Sequence, residues 1–173
     1  MDNSGYHIRL ARDTDLSALP EVERAANTLF AAYGLADQLS DILTPIASLH
    51  EGVQADRLWV AAAENDRPVG FALASIVGDN AHLDELDVHP AHGQRGLGTA
   101  LVEAVCDWAK ASGYHAITLT TLRHIPWNTP WYQRLGFRVL EEHELSADLR
   151  ELLRGEIQRG LPADQRVAMQ RPL

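Results

Sequence analysis

Apolar residues alternate with polar ones, or follow one another without a break, in several short runs that predict β-strands. In the first half of the chain these runs cover residues 6–10, 58–63, 69–77 and 81–88. The turn at 65–68 joins the second run to the third, and His89-Pro90 ends the fourth because proline supplies no donor to a sheet. Three consecutive strands of this kind predict an antiparallel meander.

Helical spacing of apolar residues is clearest over 97–112, and Gly113 follows this run as a stop signal. Near the N-terminus, the acidic turn at 13–15 is expected to cap a helix that runs to about residue 32. A second, less regular helix is expected over 36–50. After residue 113 the pattern predicts strand 116–122, helix 130–135, strand 137–141, helix 149–159 and an edge strand over 166–170.

The order of these elements predicts the fold class. A strand that follows a helix that follows a strand implies a crossover connection, so strand 116–122 adds a parallel pair to the meander. We therefore expect an α+β fold, with a mixed, mostly antiparallel sheet of six to seven strands flanked by helices. The chain has 173 residues and no internal repeat, so a single domain over residues 1–173 is expected.

Composition and charge narrow the classes of function. The 24 acidic and 15 basic residues give a formal net charge of −9, which disfavours nucleic acid and anionic lipid and mildly favours cationic partners such as amines. No leader-like or membrane-spanning apolar run is present, so we expect a cytoplasmic protein without a membrane partner. Cys106 is the only cysteine, which excludes an intrachain disulfide and a cysteine-built zinc site. No metal is expected, and Cys106 is interpreted as a buried packing residue.

A glycine-rich turn joins the fourth strand to the clearest helix. It contains Gly93, Gly96 and Gly98, with Arg95 among them. The first N–H groups of a helix are unpaired and carry about half a positive charge, so phosphate oxygens bind there, and glycines let them approach the backbone. The spacing is the reverse of a dinucleotide fingerprint, and no lysine follows it as in an ATPase phosphate loop. A tight turn that binds nothing is the alternative.

The run Leu86-Asp87-Val88-His89-Pro90, followed by Arg95-Gly96-Leu97-Gly98 and a helix, resembles motif A of the GCN5-related N-acetyltransferases. The resemblance implies acetyl-CoA as cosubstrate. The main chain of Leu86, Asp87 and Val88 would then hold the pantetheine arm and polarise the thioester carbonyl. The pyrophosphate would be bound by Gln94, Arg95, Gly96, Leu97, Gly98 and Thr99. Gly93 occupies a position where the family usually has Gln or Arg, so no side-chain contact is expected from it.

A second motif follows about 35 residues later. Tyr132 and the pair Gly136-Phe137 are similar to the Tyr-x-x-x-Gly-Phe core of the family's motif B. The resemblance places Tyr132 near the coenzyme sulfur, and we predict that it binds the coenzyme and protonates the thiolate leaving group as the general acid. A phenol has an ordinary pKa of about 10 and is able to donate a proton at neutral pH. A tyrosine that only packs is the alternative. Many relatives have an asparagine seven residues before the tyrosine, where this chain has Ile125.

Candidate bases precede motif A. Period-two geometry puts His82 and Asp84 on one face of the predicted strand. This segment resembles that of the arylalkylamine (serotonin) N-acetyltransferases, in which His82 matches the first histidine of a His-x-His pair and Asp84 replaces the second. Our hypothesis is that His82 accepts the amine proton through water, with Asp84 holding the nearby charge. Glu85 is the rival base if a β-bulge turns its side chain to the same face. The other alternative is that His82 and Asp84 are ordinary polar residues at a sheet surface without a catalytic role.

Together these features predict direct transfer of an acetyl group from acetyl-CoA to a primary amine of a small molecule. The alternatives are a protein or peptide N-acetyltransferase, and an acyl-CoA-binding module without turnover. The resemblance assigns the substrate pocket to residues 29–50 and 124–131. The aromatic residues there that can stack on a substrate are Phe30, Tyr33, Trp127 and Trp131. A homodimer formed through the late edge strand is a further expectation.

Overall fold

The computed structural model describes residues 5–35, 39, 42–161 and 163–173. Within this part of the chain the strands are β1 (Tyr6–Leu10), β2 (Leu58–Ala63), β3 (Pro68–Val77), β4 (Asn80–Val88), β5 (Ala116–Leu122), β6 (Arg138–Val139) and β7 (Arg166–Pro172). The α-helices are α1 (Leu19–Asn27), α2 (Ile46–Gln54), α3 (Leu97–Ala111), α4 (Thr129–Arg134) and α5 (Ala147–Gln158). No helix in these ranges is both long and apolar enough to cross a bilayer.

Seven strands form one mixed sheet in the order β1-β2-β3-β4-β5-β7-β6. β1 pairs antiparallel with β2, and β2 pairs antiparallel with β3. β4 and β5 form the parallel pair that the crossover predicted, with α3 as the connecting helix. The predicted fold class is confirmed.

The sheet order corrects one prediction about the C-terminal strand. Residues 166–170 were expected at an edge, but β7 lies between β5 and β6 and pairs antiparallel with both. The edge is instead the two-residue strand β6, which is shorter than the predicted run 137–141. Weak alternation in a single strand gives no information about which distant strand it joins, so its position in the sheet was not readable.

The first helical region is also corrected. The expected helix from residues 13–15 to about 32 is divided into a short 3₁₀ turn at Asp13–Asp15, then α1, then a 3₁₀ segment at Thr28–Tyr33. Asp15 does not cap a long helix, because its carboxylate accepts hydrogen bonds from Arg9 and from the backbone N–H of Arg12. Within the second expected helix, 36–50, residue 39 is helical and α2 begins after Pro45, while residues 36–38 and 40–41 lie outside the described part.

Residue contacts divide the chain into two compact units. The first consists of Met1–Ser75 and Asp84–Asp107, and its core packs apolar side chains of α1 and α2 against those of β2 and β3. Leu19, Leu49 and Phe71 are fully buried there. This unit therefore holds the glycine turn and most of its strand. The expectation of a single domain stays a prediction.

The second unit consists of Ile76–Leu83 and Trp108–Leu173. Its apolar cluster joins Leu149 of α5 to Leu140 and Ala168. A buried polar network is also present: Arg166 Nη2 lies 2.8 Å from Glu156 Oε2, and the Thr120 hydroxyl donates to Glu156 Oε1 at 2.6 Å. This network links β5, α5 and β7, because Thr120, Glu156 and Arg166 belong to these three elements. The hydroxyl and the ion pair satisfy one another's hydrogen-bonding groups where little water reaches them.

Candidate functional site

The glycine turn has the backbone that close approach of a ligand requires. Gly96 has φ of +81°, and the preceding Gln94 has φ of +59°, a left-handed conformation that is uncommon for a residue with a side chain. A Cβ at Gly93 would lie 3.2 Å from the carbonyl oxygen of Pro90. The turn is therefore tightly folded, and glycine is required at Gly96 by conformation.

Helix α3 begins directly after this turn. Its first residue is Leu97, and the N–H of Ala100 donates to the carbonyl of Gly96 at 3.0 Å. In an α-helix the first N–H groups have no intrahelical acceptor, so those of the first turn, including Gly98 and Thr99, are available to an anion. Arg95 is exposed beside them and supplies a positive charge. The turn thus fits a group carrying phosphates.

Aromatic contacts fix the turn to β1. The Tyr6 hydroxyl lies 2.8 Å from Nδ1 of His92, and the Arg95 guanidinium carbon lies 5.7 Å from the centre of the Tyr6 ring. The backbone N–H of Ala91 donates to Nδ1 of His89 and closes the 3₁₀ turn at Pro90–His92. These contacts hold the turn in place while leaving the backbone of 94–96 on the surface.

The strand before the turn has an unusual pairing. The parallel register between β4 and β5 covers Ala81, His82 and Leu83. Leu86, Asp87 and Val88 lie past the last residue of that register, on the part of β4 that leads into the glycine turn. Backbone groups beyond a ladder need other partners, and the N–H of Leu86 has one, because it donates to Oε1 of Glu85 at 3.2 Å. Binding of the pantetheine arm by these three residues stays a prediction.

His82, the predicted base, is deeply buried, with 1% of its surface exposed. Its Nδ1 lies 2.8 Å from the Thr118 hydroxyl, which also lies within hydrogen-bond distance of the carbonyl of Ala81. If that hydroxyl donates its one proton to the carbonyl, Nδ1–H donates to Thr118 and Nε2 carries the basic lone pair. Burial, together with the charge of Arg166, lowers the pKa of His82 to about 4. The imidazole is therefore neutral at pH 7.

This burial predicts a pH-dependent stability. A histidine with pKa about 4 in the folded state and about 6.5 when unfolded makes folding less favourable as the pH falls from 6.5 toward 4. Between pH 7 and pH 5 the free energy of unfolding should fall by about 2 kcal/mol more in the wild type than in His82→Gln. Urea unfolding at the two pH values measures the difference. His143→Gln, a substitution at an exposed histidine, is the control, and identical pH dependence in wild type and His82→Gln would contradict the assignment.

The two acidic candidates near His82 have different surroundings. Asp84 is exposed, and its Oδ1 accepts a hydrogen bond from the Ser75 hydroxyl at 2.8 Å. It lines a concavity of about 120 Å³ with residues of α2 and β3. Glu85 is half-buried and lies on the side of β4 that faces Glu23 of α1. The support of His82 by Asp84 stays a prediction.

A cluster of three carboxylates was missed by the sequence reasoning. One oxygen from each of Glu23, Glu85 and Asp87 lies within 4.8 Å of the others, a spacing that is able to hold a cation. The sequence offered a partial signal in Glu23, an acidic residue beside Val22 in a helical stretch, but the burial of Glu23, which is 3% exposed, is visible only in the structure. An acidic residue in a helix's buried face usually has a partner or a ligand.

The predicted acid Tyr132 lies in α4 and is 9% exposed. Its ring packs edge-on against Trp131 at 4.9 Å and Phe137 at 5.5 Å between ring centres. The start of the helix is fixed because the Thr129 hydroxyl donates to the carbonyl of Leu122 at 3.0 Å. Motif B therefore forms a compact aromatic cluster that orients the tyrosine.

The predicted substrate aromatics differ in exposure. Tyr33 is 45% exposed and Trp127 is 36% exposed, so both rings present surface to a ligand. Phe30 and Trp131 are half-buried. Cys106 is 4% exposed within α3, as expected for a packing residue.

Comparison with known proteins identifies the family. The model of the Acetyltransferase (GNAT) family matches residues 22–137, which is more than half of the chain. The chain is 34% identical over 94 residues to the peptidyl-lysine N-acetyltransferase YjaB of Salmonella typhimurium, covering 51% of this chain and 54% of that protein. It is 29% identical over 68 residues to the glucosamine 6-phosphate N-acetyltransferase of Trypanosoma brucei brucei, covering 39% and 44%. The chain thus spans about half the length of these curated relatives.

The fold is shared with solved structures. The N-acetylglutamate synthase from Neisseria gonorrhoeae, complexed with coenzyme A and N-acetyl-glutamate, superposes with a TM-score of 0.74 at 17% identity. The match covers 99% of this chain and 36% of the synthase. At this identity the likeness concerns the fold alone.

Proposed function

Because the chain belongs to the acetyltransferase (GNAT) family, we propose that it transfers an acetyl group from acetyl-CoA directly to a primary amine, with a small molecule as acceptor. The observation that carries this proposal is the glycine turn, in which left-handed Gln94 and Gly96 precede the N-terminus of α3. A turn of this shape presents N–H groups to phosphates. Acetyl-CoA brings a pyrophosphate and a reactive thioester on one molecule.

The coenzyme is assigned to two adjacent stretches of main chain. Residues 94–99 bind the pyrophosphate through backbone N–H groups, and Arg95 adds countercharge. Leu86, Asp87 and Val88 bind the pantetheine arm, and one of their N–H groups polarises the thioester carbonyl. Side-chain identity matters little for main-chain contacts of this kind. Coenzyme affinity therefore depends mainly on the backbone conformation of these residues.

Acetyl transfer requires two proton movements. The neutral amine attacks the thioester carbon, the C–S bond breaks, and the sulfur leaves as a thiolate. Tyr132 then gives its proton to the sulfur as general acid, an assignment that rests on its match to the motif B tyrosine. The acceptor nitrogen, which is positively charged after the attack, loses one proton to a base, and solvent returns a proton to the Tyr132 phenolate.

The base is proposed from three candidates. His82 matches the arylalkylamine pattern, but its burial and its pKa of about 4 make it a weak base with restricted access to water. Asp84 is exposed and bonded to Ser75, and Glu85 is half-buried. Separate substitution of the three residues makes the assignment testable.

If His82 is the base, kcat/KM should titrate near pH 4 on its acidic limb, and His82→Gln should abolish that limb. The rate should fall about 100-fold in the same variant, because general-base catalysis contributes at least that factor. Rate profiles from pH 4 to 9 for His82→Gln, Asp84→Asn and Glu85→Gln decide the assignment. An unaltered profile in His82→Gln moves the role to whichever carboxylate variant loses the limb.

The acidic net charge favours a cationic acceptor of either kind, and the exposed rings of Tyr33 and Trp127 support a small hydrophobic or aromatic amine. The matched relatives act on peptidyl lysine and on glucosamine 6-phosphate, both of which present a primary amine. A cytoplasmic location, a homodimer and the likeness to arylalkylamine acetyltransferases stay predictions.

The proposal is tested by mixing the protein with acetyl-CoA and a panel of amines while following the release of free coenzyme thiol. The panel includes aliphatic amines, arylalkylamines, amino sugars and lysine-containing peptides. Turnover with a small amine supports the proposal, and turnover with peptides alone corrects the acceptor class. Coenzyme binding with no turnover on any acceptor would favour the non-catalytic binding module.

A further inference from the structure

Glu85 is one of the candidate bases above and the main chain of Asp87 is assigned to the pantetheine arm, but the three carboxylates of Glu23, Glu85 and Asp87 have no role there as a cluster. Two of its members are almost fully removed from water, with Glu23 3% and Asp87 9% exposed. Glu23 Oε1 accepts hydrogen bonds from the backbone N–H and the hydroxyl of Thr44, at 2.8 and 3.0 Å. Glu23 Oε2 and Asp87 Oδ2 are buried and have no hydrogen-bond partner among the described residues.

Buried carboxylate oxygens without partners are costly, so their persistence calls for a ligand or a proton. The neighbouring charges that act on Asp87 are those of Glu85 and Glu23, both negative, and burial together with these carboxylates raises the pKa of Asp87 well above its usual range. Burial likewise raises the pKa of Glu23. Glu23 and Asp87 are therefore costly to ionise together, and a cation that enters the cluster stabilises their charged forms.

The dimensions fit an ammonium group. Three oxygens no more than 4.8 Å apart are all reached from one point about 2.8 Å from each, which is the length of a charged N–H···O hydrogen bond. A primary ammonium has three N–H donors, one for each carboxylate. Mg²⁺ requires six oxygens in octahedral geometry at about 2.1 Å, whereas the cluster offers one oxygen from each of three carboxylates.

The cluster is unsuited to the nitrogen that becomes acetylated. That nitrogen must be neutral to attack the thioester, whereas three carboxylates stabilise its protonated and unreactive form. The group that the cluster favours is therefore a positive charge that stays positive through the reaction.

The position of the cluster agrees with a substrate contact. Asp87 lies on the segment of β4 whose main chain is proposed to hold the coenzyme arm. Thr44, which is bonded to Glu23, belongs to the segment 29–50 assigned to the substrate pocket. Glu85, which is half-buried, is the most exposed member of the cluster.

We propose that Glu23, Glu85 and Asp87 bind a second, non-reacting ammonium group of the acceptor, and that the preferred acceptor is a diamine or polyamine. This inference rests on the proposed acetyl transfer and specifies its substrate class. The reacting amine and the bound ammonium belong to the same molecule, so the cluster positions one end while the other end meets the thioester.

The test compares α,ω-diaminoalkanes of three to six carbons with the monoamines of the same chain length. The wild type should use the best diamine at least about tenfold more efficiently in kcat/KM than its matched monoamine, as expected for hydrogen bonds to charged groups. Glu23→Gln keeps the carbonyl that Thr44 needs but removes a charge, so it should lower this ratio at least about fivefold. Its monoamine rate should stay within about twofold of the wild-type value. Glu21→Gln, two residues away on α1 with an exposed side chain paired to Arg67, should keep the wild-type ratio.

Asp87→Asn serves as a second variant, judged by the diamine-to-monoamine ratio, in case Glu23→Gln folds poorly. Equal efficiency of diamines and monoamines in the wild type overturns the inference while leaving acetyl transfer intact, and so does a preference that neither variant reduces.

If no amine is acetylated, the proposed function fails separately. Calorimetry with 1,4-diaminobutane and butylamine, in the presence of coenzyme A, then decides: tighter diamine binding that depends on Glu23 supports the inference. Equal binding, or Glu23-dependent binding of Ca²⁺, Mg²⁺ or Mn²⁺ instead of the diamine, overturns it.

Discussion

Gly96→Val should weaken binding of acetyl-CoA by about 10- to 100-fold. Gly96 has φ of +81°, and a left-handed conformation costs a residue with a side chain about 1–2 kcal/mol, with more for a β-branched one. The turn relieves this strain by rotating its backbone, and the N–H groups proposed to hold the pyrophosphate then point elsewhere. Calorimetric titration with coenzyme A measures the loss directly.

Gly113→Val is the matched control for this substitution. Gly113 follows the C-terminus of the same helix, α3, has φ of +85° and has no atom within 4 Å of a Cβ built on it. The two variants should lose similar stability, because the backbone strain is of the same kind. Only Gly96→Val should lose coenzyme affinity. A folded Gly96→Val protein that binds coenzyme A as the wild type does would remove the turn from the site.

Tyr132→Phe should lower kcat by about 100- to 1000-fold, the usual contribution of a general acid, with little change in coenzyme affinity. Phenylalanine keeps the ring contacts with Trp131 and Phe137, so the aromatic cluster of motif B stays packed. The loss is then attributable to the hydroxyl. Steady-state rates with the best acceptor, together with calorimetric binding of coenzyme A, separate the two effects.

Tyr114→Phe is the control for removal of a tyrosine hydroxyl. Its ring lies 5.8 Å from that of Trp108 at the end of α3, and it has no role in the proposed mechanism. Its rate should equal that of the wild type. If Tyr132→Phe also turns over at the wild-type rate, the thiolate obtains its proton from another group or from water.

The sequence predicted the strands best where strong local signals bounded them. The bounds of β1, β2 and β5 agree with the prediction to the residue. β2 and β5 are compact runs of apolar or β-branched residues, whereas β1 alternates between apolar and polar residues, and polar residues follow each of the three strands closely. The start of α3 after the glycine turn was also correct, because the turn and the amphipathic helix give independent signals at the same position.

Tertiary interactions determine two features that the local sequence pattern did not predict, the start of α1 and the position of β7 in the sheet. Asp15 has the appearance of a helix cap, yet it pairs with Arg9 of β1 at 2.6 Å, and α1 begins four residues later. The place of β7 between β5 and β6 depends on pairing across a long stretch of sequence, which no local pattern encodes. Single-strand periodicity reports which face is buried but not which strand is next to it.

The candidate site also combines features that local sequence encodes with features that depend on tertiary packing. The glycine turn could be located from the sequence, because glycines at a strand-to-helix junction have a fixed local geometry, whereas Leu86 to Val88 were assigned by the family resemblance. The coenzyme-binding roles of both stretches stay predictions. His82 was predicted to act as a base through water, and only the three-dimensional packing reveals that it is buried against Thr118, and that Glu23 meets Glu85 and Asp87.

The central claim, acetyl transfer from acetyl-CoA to an amine, is tested most directly by mass spectrometry of the amine panel after incubation with the protein and acetyl-CoA. We predict an N-acetylated small amine that accumulates in equal amount to the free coenzyme thiol, and that is strongly reduced with Gly96→Val and with Tyr132→Phe. Bound coenzyme without any acetylated acceptor across the panel, peptides included, would contradict the account.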